Sequence, residues 1–514
     1  MRSIASFVLI ALPWLNPFAP GPSAAVVPWL VTLGCVALML PLLPRERPEE
    51  VIAASWLAAA LLSAELALLQ FFGASASMAP WVNQPAVGEA FANLRQRNQF
   101  ATLTNIGLGA LLWFAVRVRA LPQRRQLAQA ALVLAAMLLA FGNAASSSRT
   151  GLLQLVVLAL LAWLWGGWKD TVSRRVLLTA LATYAVGALA LPGLAGLDPN
   201  TTGILARLGD ASQPCGSRLT LWSNVWHLIT LKPWSGWGWG NLDYAHFVTL
   251  YPGARFCDIL DNAHNLPLHL AVELGLPAAA LLCGGALWLT LQRQPWRETD
   301  PTRQLAWVVL TLLALHSMLE YPLWYGPFQV ALWLSVWLLA RPTTAAMAVA
   351  AAPRGRAALG TVTLGLLLAT GYAAWDYHRV SQIYLAAEQR DEAYRTDTLQ
   401  KVRDSWLFRD QVRFAELTTT ELRRANAGRV NVLAEELLRF SPEPRVVEKL
   451  IESATLLDHN QQALYYLARF RAAFPEEHRL WANGLQAWSS AAPAAPEAIS
   501  AQQAAPWRAD TSAP

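Results

Sequence analysis

The chain has 514 residues, of which 55% are hydrophobic and only 14% are charged, and it contains 24 tryptophans. Soluble globular domains contain about a quarter charged residues, so this composition excludes a single soluble domain and indicates a membrane protein. The net charge is +6, and the arginines cluster in short loops beside apolar runs. That arrangement is typical of membrane topology, and we expect no nucleic-acid partner.

Apolar runs of about 17–25 residues recur through residues 1–375, and each is long enough to cross a hydrocarbon core about 30 Å thick. The first run follows Met1-Arg2 without a small-residue cleavage site, so we expect an uncleaved span. The pattern predicts an all-α polytopic bundle of about 11–12 spans. We place about eleven, near residues 4–19, 24–43, 51–72, 98–116, 126–143, 151–168, 176–192, 265–291, 304–320, 324–340 and 357–375.

Arginine-rich loops alternate along the chain with loops that contain few basic residues. The loops with few basic residues are 73–97, 144–150, 193–263 and 321–323. Because positively charged loops face the cytoplasm, the sequence predicts a cytoplasmic N-terminus. It also predicts that the long loop 193–263 and everything after residue 375 lie on the opposite side of the membrane.

The loop 193–263 is far longer than an ordinary connection. Its residues 217–231 predict an amphipathic helix that ends at Pro233 and is suited to a membrane surface. The apolar face of this helix contains Leu219, Trp222, Val225 and Trp226. A glycine- and tryptophan-rich run follows at 235–240, for which an interfacial aromatic belt and sugar stacking both remain open. In an oxidising compartment, Cys215 and Cys257 would form a stabilising disulfide.

Three charged or titratable residues on the predicted outer side are candidates for chemistry. Arg149 and Arg218 offer donors that match phosphate oxygens, although arginines beside lipid also extend to headgroups. We expect Asp261 or Asn262 to cap the helix after the loop. His264 would then lie in the first helical turn, where the helix dipole favours a neutral, basic imidazole; a purely structural histidine is the alternative.

No zinc-like spacing of His, Cys and carboxylates occurs in the sequence, and no nucleotide-binding glycine loop is present. Asp258 and Asp261 are too weak a pair to predict a cation site. We therefore expect no metal and no other cofactor.

Several short strings resemble the O-antigen ligase and polymerase superfamily, and above all its protein O-oligosaccharyltransferase branch, which glycosylates pilins. They are RNQFA at 97–101, SRTG at 148–151, SR at 217–218 with Trp222, GWGWG at 236–240, AHN at 263–265 and HSMLEYPLWY at 316–325. Together they cover nearly the whole chain in the family's order, and the last string resembles the pilin-glycosylating branch most.

The resemblance implies an enzyme of the bacterial inner membrane with a periplasmic catalytic loop. Its donor would be a glycan on undecaprenyl pyrophosphate, and its acceptor a serine or threonine hydroxyl of a pilin-like protein. Arg149 and Arg218, and with less support Arg97, match arginines implied to bind the pyrophosphate. His264 matches the histidine implied to activate the hydroxyl. The resemblance also implies catalysis without a metal and with inversion at the sugar.

His316 and Glu320 lie one helical turn apart near the predicted outer face. They could bond to each other, orient the loop or touch the acceptor, and we favour a supporting structural role. Tyr321 fits a supporting role or an interfacial belt.

After residue 375 the chain becomes richly charged. The sequence predicts a transmembrane catalytic domain at 1–375, which includes the loop, a periplasmic helical domain at 376–490, and a disordered tail at 491–514. Phe440 and Phe474, each followed closely by proline, are separated by the 34-residue period of tetratricopeptide repeats.

Two kinds of alternative function stay open at this point. One is a related enzyme, either the O-antigen ligase that uses lipid A-core as acceptor or the O-antigen polymerase. The other is a transporter of lipid-linked glycans, which broken helices at the membrane midplane would favour.

Overall fold

The computed structural model describes residues 2–44, 46–118, 125–209, 214–341 and 353–491, and these residues form helices and loops with no β-strand. In chain order the first α-helices are α1 (Arg2–Leu15), α2 (Val26–Leu42), α3 (Pro48–Phe71), α4 (Arg97–Val118), α5 (Arg125–Ala145), α6 (Arg149–Leu164), α7 (Thr171–Leu194), α8 (Ile204–Gly209), α9 (Arg218–Leu231), α10 (Leu242–Val248), α11 (Leu266–Leu274) and α12 (Leu276–Arg293). They continue with α13 (Pro301–Ser317), α14 (Gly326–Ala340), α15 (Pro353–Ser381), α16 (Thr398–Lys401), α17 (Arg409–Thr419), α18 (Ala427–Leu437), α19 (Pro444–Leu456), α20 (Asn460–Ala473) and α21 (Pro475–Ala491).

Five helical segments are long and apolar enough to cross a membrane: α3, α4, residues 126–145, α7 and residues 357–384. The helices α1, α2, α6 and α14 are shorter and also apolar. The predicted all-helical fold with several membrane-compatible helices is thereby confirmed. The number of spans and their orientation stay predictions.

The predicted span at 265–291 is not one continuous helix, because the chain breaks between α11 and α12 at Gly275. This glycine has a φ of 86°, and a Cβ atom there would lie 2.2 Å from the carbonyl oxygen of Trp234. The backbone N–H of Leu276 donates to the carbonyl of Pro233 at 2.8 Å. A neighbouring loop therefore packs into the helix break, and only glycine allows so close an approach.

The described chain divides into two compact units, residues 1–210 with 287–375, and residues 211–286 with 376–514. In the first unit α4 is the central helix and packs against α3, α5, α6, α7 and α13. At Gly107 a Cβ atom would lie 2.6 Å from the Cβ of Ala60. Small residues of this kind let membrane helices approach closely, and fully buried Leu103 and Ile106 fill the core around them.

The second unit combines most of the long loop with the helices after residue 375. Helix α10 packs on α20, and Phe247 of α10 joins the apolar core that contains Leu437 and Phe470. The guanidinium Nε of Arg469 donates to the carbonyl of Val248 at 2.7 Å. The loop and the C-terminal helices, which the sequence assigns to separate domains, thus share one packed core.

The C-terminal helices α18, α19 and α20 pack successively on one another, with Val446, Val447 and Leu450 of α19 fully buried between them. The predicted disordered tail at 491–514 lies outside the described residues, apart from Ala491 at the end of α21.

Candidate active site

The three arginines with a predicted role in donor binding share one structural position, since each is the first residue of an α-helix: Arg97 of α4, Arg149 of α6 and Arg218 of α9. In each case the preceding side chain accepts the N–H of the third helical residue: Gln96 from Gln99 at 2.7 Å, Ser148 from Gly151 at 2.9 Å and Ser217 from Thr220 at 3.1 Å. A capped helix N-terminus carries a partial positive charge. An arginine at that end adds a full charge and a fork of donors.

The surroundings of the three arginines differ. Arg149 and Arg218 are exposed, whereas Arg97 is partly buried and its Nη2 lies 2.6 Å from the Glu89 carboxylate. The charge of Arg97 is therefore already balanced by a neighbouring side chain, which weakens it as an anion ligand.

A chain of polar side chains connects the start of α6 to α4 and to the residues after α13. The Ser148 hydroxyl donates to Oδ1 of Asn98 at 2.6 Å, and Nδ2 of Asn98 donates to Oε1 of Glu320 at 3.3 Å. Glu320, one of the predicted supporting residues, is thus linked through one amide to the residue that precedes Arg149.

His316 is fully buried in the same unit. Its Nδ1 lies 2.9 Å from the Thr102 hydroxyl of α4, and that hydroxyl lies 3.0 Å from Oε1 of Gln154 of α6. Gln154 in turn donates to the carbonyl of Leu312 on α13 at 2.9 Å. His316 and Glu320 therefore both contact α4, as the i,i+4 spacing of Asn98 and Thr102 permits.

Tyr321 stacks on Tyr325 with ring centroids 5.9 Å apart.

In the second unit, the loop is cross-linked just before α9. Cys215 and Cys257 form a disulfide with their Cα atoms 5.3 Å apart, a separation within the usual range. Cys215 precedes Arg218 by three residues. Helix α9 matches the predicted helix. Of the four residues predicted to share its apolar face, Val225 is buried together with Leu221 and Leu228, Trp222 is half-buried, and Leu219 and Trp226 are exposed.

His264 precedes α11 rather than lying in its first turn, so the predicted capping by Asp261 or Asn262 is wrong. The cap is Asn265, whose side chain accepts the N–H of Leu268 at 3.1 Å. His264 itself has a φ of 49°, in the left-handed region. The helix dipole consequently acts on His264 less directly than the sequence predicts. A left-handed residue other than glycine costs on the order of 1–3 kcal/mol and is common at functional sites.

The glycine-rich run at 235–240 packs against α11. The N–H groups of Trp237 and Gly238 donate to the carbonyls of Val272 and Glu273, both at 2.9 Å. A Cβ atom on Gly236 would lie 2.3 Å from the Glu273 carbonyl oxygen. Close backbone packing therefore explains the glycine, while Trp239 remains 61% exposed.

A buried pair on α11 was missed by reasoning from the sequence. Nε2 of His269 lies 3.3 Å from Oε2 of Glu273, and both side chains are almost completely buried. The i,i+4 spacing of a histidine and a glutamate is the sequence signal that identifies such a pair.

Burial, with smaller contributions from the negative charges of Asp261 and Glu273, raises the pKa of Asp243 to about 7.

His246 has a structural environment. Its Nδ1 lies 2.7 Å from the Tyr251 hydroxyl and its Nε2 lies 3.2 Å from the carbonyl of Phe256. Burial lowers the pKa of His246 to about 3, so the ring is neutral at physiological pH. Among the residues that the structure describes, no group of three or more His, Cys, Asp or Glu side chains is arranged to hold a metal ion.

Three family profiles match separate parts of the chain. Residues 90–115 match a protein glycosylation ligase profile, residues 130–283 an O-antigen ligase profile, and residues 304–487 the C-terminal region of a virulence factor membrane-bound polymerase. The second of these covers Arg149, Arg218 and His264. Over these three stretches the chain resembles the O-antigen ligase and polymerase superfamily.

Two curated relatives from Acinetobacter baylyi make this resemblance more specific. A general O-oligosaccharyltransferase is 26% identical over 315 residues, which cover 58% of this chain and 52% of the relative. A ComP-specific O-oligosaccharyltransferase is 25% identical over 246 residues, which cover 47% and 42%. The chain spans about half the length of these relatives. The resemblance to the protein O-oligosaccharyltransferase branch is confirmed, and no solved structure matches the chain.

Proposed function

We propose that this chain is an O-oligosaccharyltransferase that moves a glycan en bloc from undecaprenyl pyrophosphate to a serine or threonine hydroxyl of a periplasmic, pilin-like protein. The observation that supports the proposal is that Arg149 and Arg218 occupy equivalent positions in their respective helices. Each is an exposed first residue of a capped helix, and helix N-termini of this kind favour phosphate groups. The similarity to two O-oligosaccharyltransferases supports the transfer of a glycan to protein.

In the proposed reaction the acceptor oxygen attacks the anomeric carbon of the donor sugar, and the bond from that carbon to the phosphate oxygen breaks. His264 accepts the hydroxyl proton as the new bond forms. Arg149 and Arg218 stabilise the negative charge that develops on the departing pyrophosphate, with a smaller contribution from Arg97. Direct displacement inverts the configuration at the sugar. This chemistry requires neither metal nor nucleotide.

We further propose an inner-membrane location with a cytoplasmic N-terminus, because the arginine-rich loops alternate with the loops that carry the site. The loop and the C-terminal helices would then face the periplasm, where the disulfide between Cys215 and Cys257 is stable. Helix pairs α18–α19 and α19–α20 offer a surface of the tetratricopeptide type for an acceptor protein.

The test is a transfer assay in which the purified protein in detergent receives lipid-linked oligosaccharide and either a pilin or lipid A-core. We expect glycan on the pilin. His264→Ala lowers the transfer rate by about 10²–10⁴-fold, the usual contribution of a general base, while donor binding persists. His227→Ala, which removes a half-buried histidine of the same loop, is the matched control and retains activity. Full activity of the His264 variant contradicts the proposed base.

Two alternatives have specific support and give different outcomes in this assay. The O-antigen ligase match over residues 130–283 favours a lipid acceptor, and glycan found only on lipid A-core would establish it. The helix break at Gly275 is the kind of feature that favours transport. Movement of the lipid-linked glycan across vesicles without transfer to any acceptor would establish the transporter.

A further inference from the structure

The two peptide groups that flank Ala263 are held by side chains from α9, from α11 and from the adjacent Asn262. The Ala263 carbonyl accepts the indole N–H of Trp222 at 3.1 Å, and the Ala263 N–H donates to Nδ1 of His269 at 3.4 Å. The N–H of His264 donates to Oδ1 of Asn262 at 2.9 Å. These contacts hold His264 in its left-handed conformation, which the backbone does not favour by itself.

The contact with Nδ1 determines which tautomer His269 adopts. Because Nδ1 accepts a hydrogen bond, the proton of a neutral imidazole must be on Nε2. Nε2 faces the Glu273 carboxylate at 3.3 Å, and the side chains of both residues are at most 3% exposed. Glu273 therefore stabilises the one tautomer of His269 that can accept the Ala263 N–H.

The Nε2 atom of His269, 3.3 Å from Oε2, forms an ion-pair contact with the Glu273 carboxylate. No conventional hydrogen bond reaches either carboxylate oxygen among the described residues, so this contact is what offsets the burial of the carboxylate. A buried carboxylate without a partner is costly, whereas an apolar residue at this position of α11 would be buried without that cost. A stability role alone does not account for a carboxylate here.

Building on the function proposed above, we propose that Glu273 is a positioning residue that acts through His269 to hold the backbone N–H of Ala263, and with it the adjacent His264, in the orientation that proton transfer by His264 requires. The chain of contacts runs from the carboxylate to Nε2, from Nδ1 to the Ala263 N–H, and along the backbone to His264. Glu273 touches neither the donor nor the acceptor. Its loss therefore slows the proton transfer and leaves substrate binding intact.

The experiment compares Glu273→Leu, which removes the acceptor, with Glu273→Gln, whose amide oxygen still accepts the Nε2–H. Transfer is measured with lipid-linked oligosaccharide and pilin peptide, and donor binding is measured separately. We expect kcat to fall about 10–100-fold in Glu273→Leu, as for a small misplacement of a catalytic group, with KM for both substrates within about twofold. Glu273→Gln retains most of the rate. Asp258→Leu, which removes an exposed carboxylate from the same loop, retains full activity.

A double variant separates positioning from folding. His269→Leu with Glu273→Leu removes both partners, which restores much of the thermal stability that a lone buried histidine loses. We expect its kcat to stay as low as that of Glu273→Leu. Recovery of kcat together with stability would overturn the positioning role, as would equal losses in kcat and donor affinity, or wild-type kcat in Glu273→Leu.

The failure of this inference is distinguishable from failure of the proposed function. If His264→Ala is inactive while Glu273→Leu has the wild-type kcat, only the positioning role is overturned. If His264→Ala is fully active, the proposed base and its positioning residue are both overturned.

Discussion

Helices α6 and α9 begin with the same two residues, a serine that caps the helix and an exposed arginine after it, but they lie in different units and are supported differently. The Ser148 hydroxyl also donates to Asn98, which bonds Glu320. The Ser217 hydroxyl lies 2.8 Å from that of Thr220 in its own first turn. Arg149 is therefore fixed by a buried network, and Arg218 by local capping and a disulfide three residues away.

This difference teaches that one local motif can obtain its rigidity from two sources. In a membrane-compatible bundle, buried polar side chains bond across helices because water is absent. In a long loop the core is smaller, and a covalent cross-link limits the freedom of the chain. Variants of the two sites test whether Arg149 and Arg218 contribute equally to donor binding. They also test whether the starts of α6 and α9 are stabilised by different interactions.

The first expected effect is on donor binding. Arg149→Ala and Arg218→Ala should each weaken binding of the lipid pyrophosphate about 10–100-fold, since a hydrogen bond to a charged group contributes about 1.5–3 kcal/mol. Arg97→Ala should have a smaller effect because Glu89 already pairs with it. Titration with labelled donor measures this.

Arg174→Ala, which removes an exposed arginine from α7, is the control for lost charge. Lysine at position 149 or 218 should restore part of the affinity, because it keeps the charge but lacks the paired donors. Unchanged donor affinity in both alanine variants would refute the shared role of the two helix N-termini.

The second effect concerns the cross-link, which only the α9 site has. Cys215→Ser with Cys257→Ser should destabilise the loop by about 2–4 kcal/mol, the usual contribution of a disulfide. Hydrogen exchange of the peptide that contains Arg218 should accelerate, while exchange near Arg149 should not change. Equal acceleration at both sites would mean that the two arginines share their support.

A smaller effect is expected for the caps. Ser217→Ala should cost about 0.5–2 kcal/mol of local stability, as is usual for an N-cap. Ser148→Ala should cost more, because it also leaves the half-buried Asn98 amide oxygen without its donor. Local unfolding free energies from hydrogen exchange at the Gly151 and Thr220 amides measure both. A larger loss for Ser217→Ala would contradict the network.

The last effect is a pH dependence confined to the second unit. Because the pKa of Asp243 is raised to about 7 in the folded chain, ionisation favours the unfolded chain, and stability decreases as pH rises from about 4 to about 7. Asp243→Asn removes this loss. Its stability gain over the wild type should grow across that interval and level off above it, as measured by thermal unfolding at several pH values. A gain independent of pH would exclude the raised pKa as its cause.

The sequence by itself determined the helical class, the approximate positions of most apolar helices and the family resemblance. Hydrophobic run length reports directly on spans because the bilayer imposes it, and the strings around Arg149, Arg218 and His264 are contiguous in the chain. For the same reason, Arg149, Arg218 and His264 could be proposed as site residues from the sequence. The pairing of Cys215 with Cys257 could be proposed because both lie in the loop predicted to face an oxidising compartment.

Only the tertiary structure decided the details that depend on contacts between distant segments. The break at Gly275 follows from the backbone of residues 233–238 packing into α11 and α12, which hydropathy does not report. The same holds for the buried face of α9, the capping by Asn265 that leaves His264 before the helix, and the packing of α10 on α20. Each is set by which backbone groups and side chains meet across the fold, and that is information no local sequence window contains.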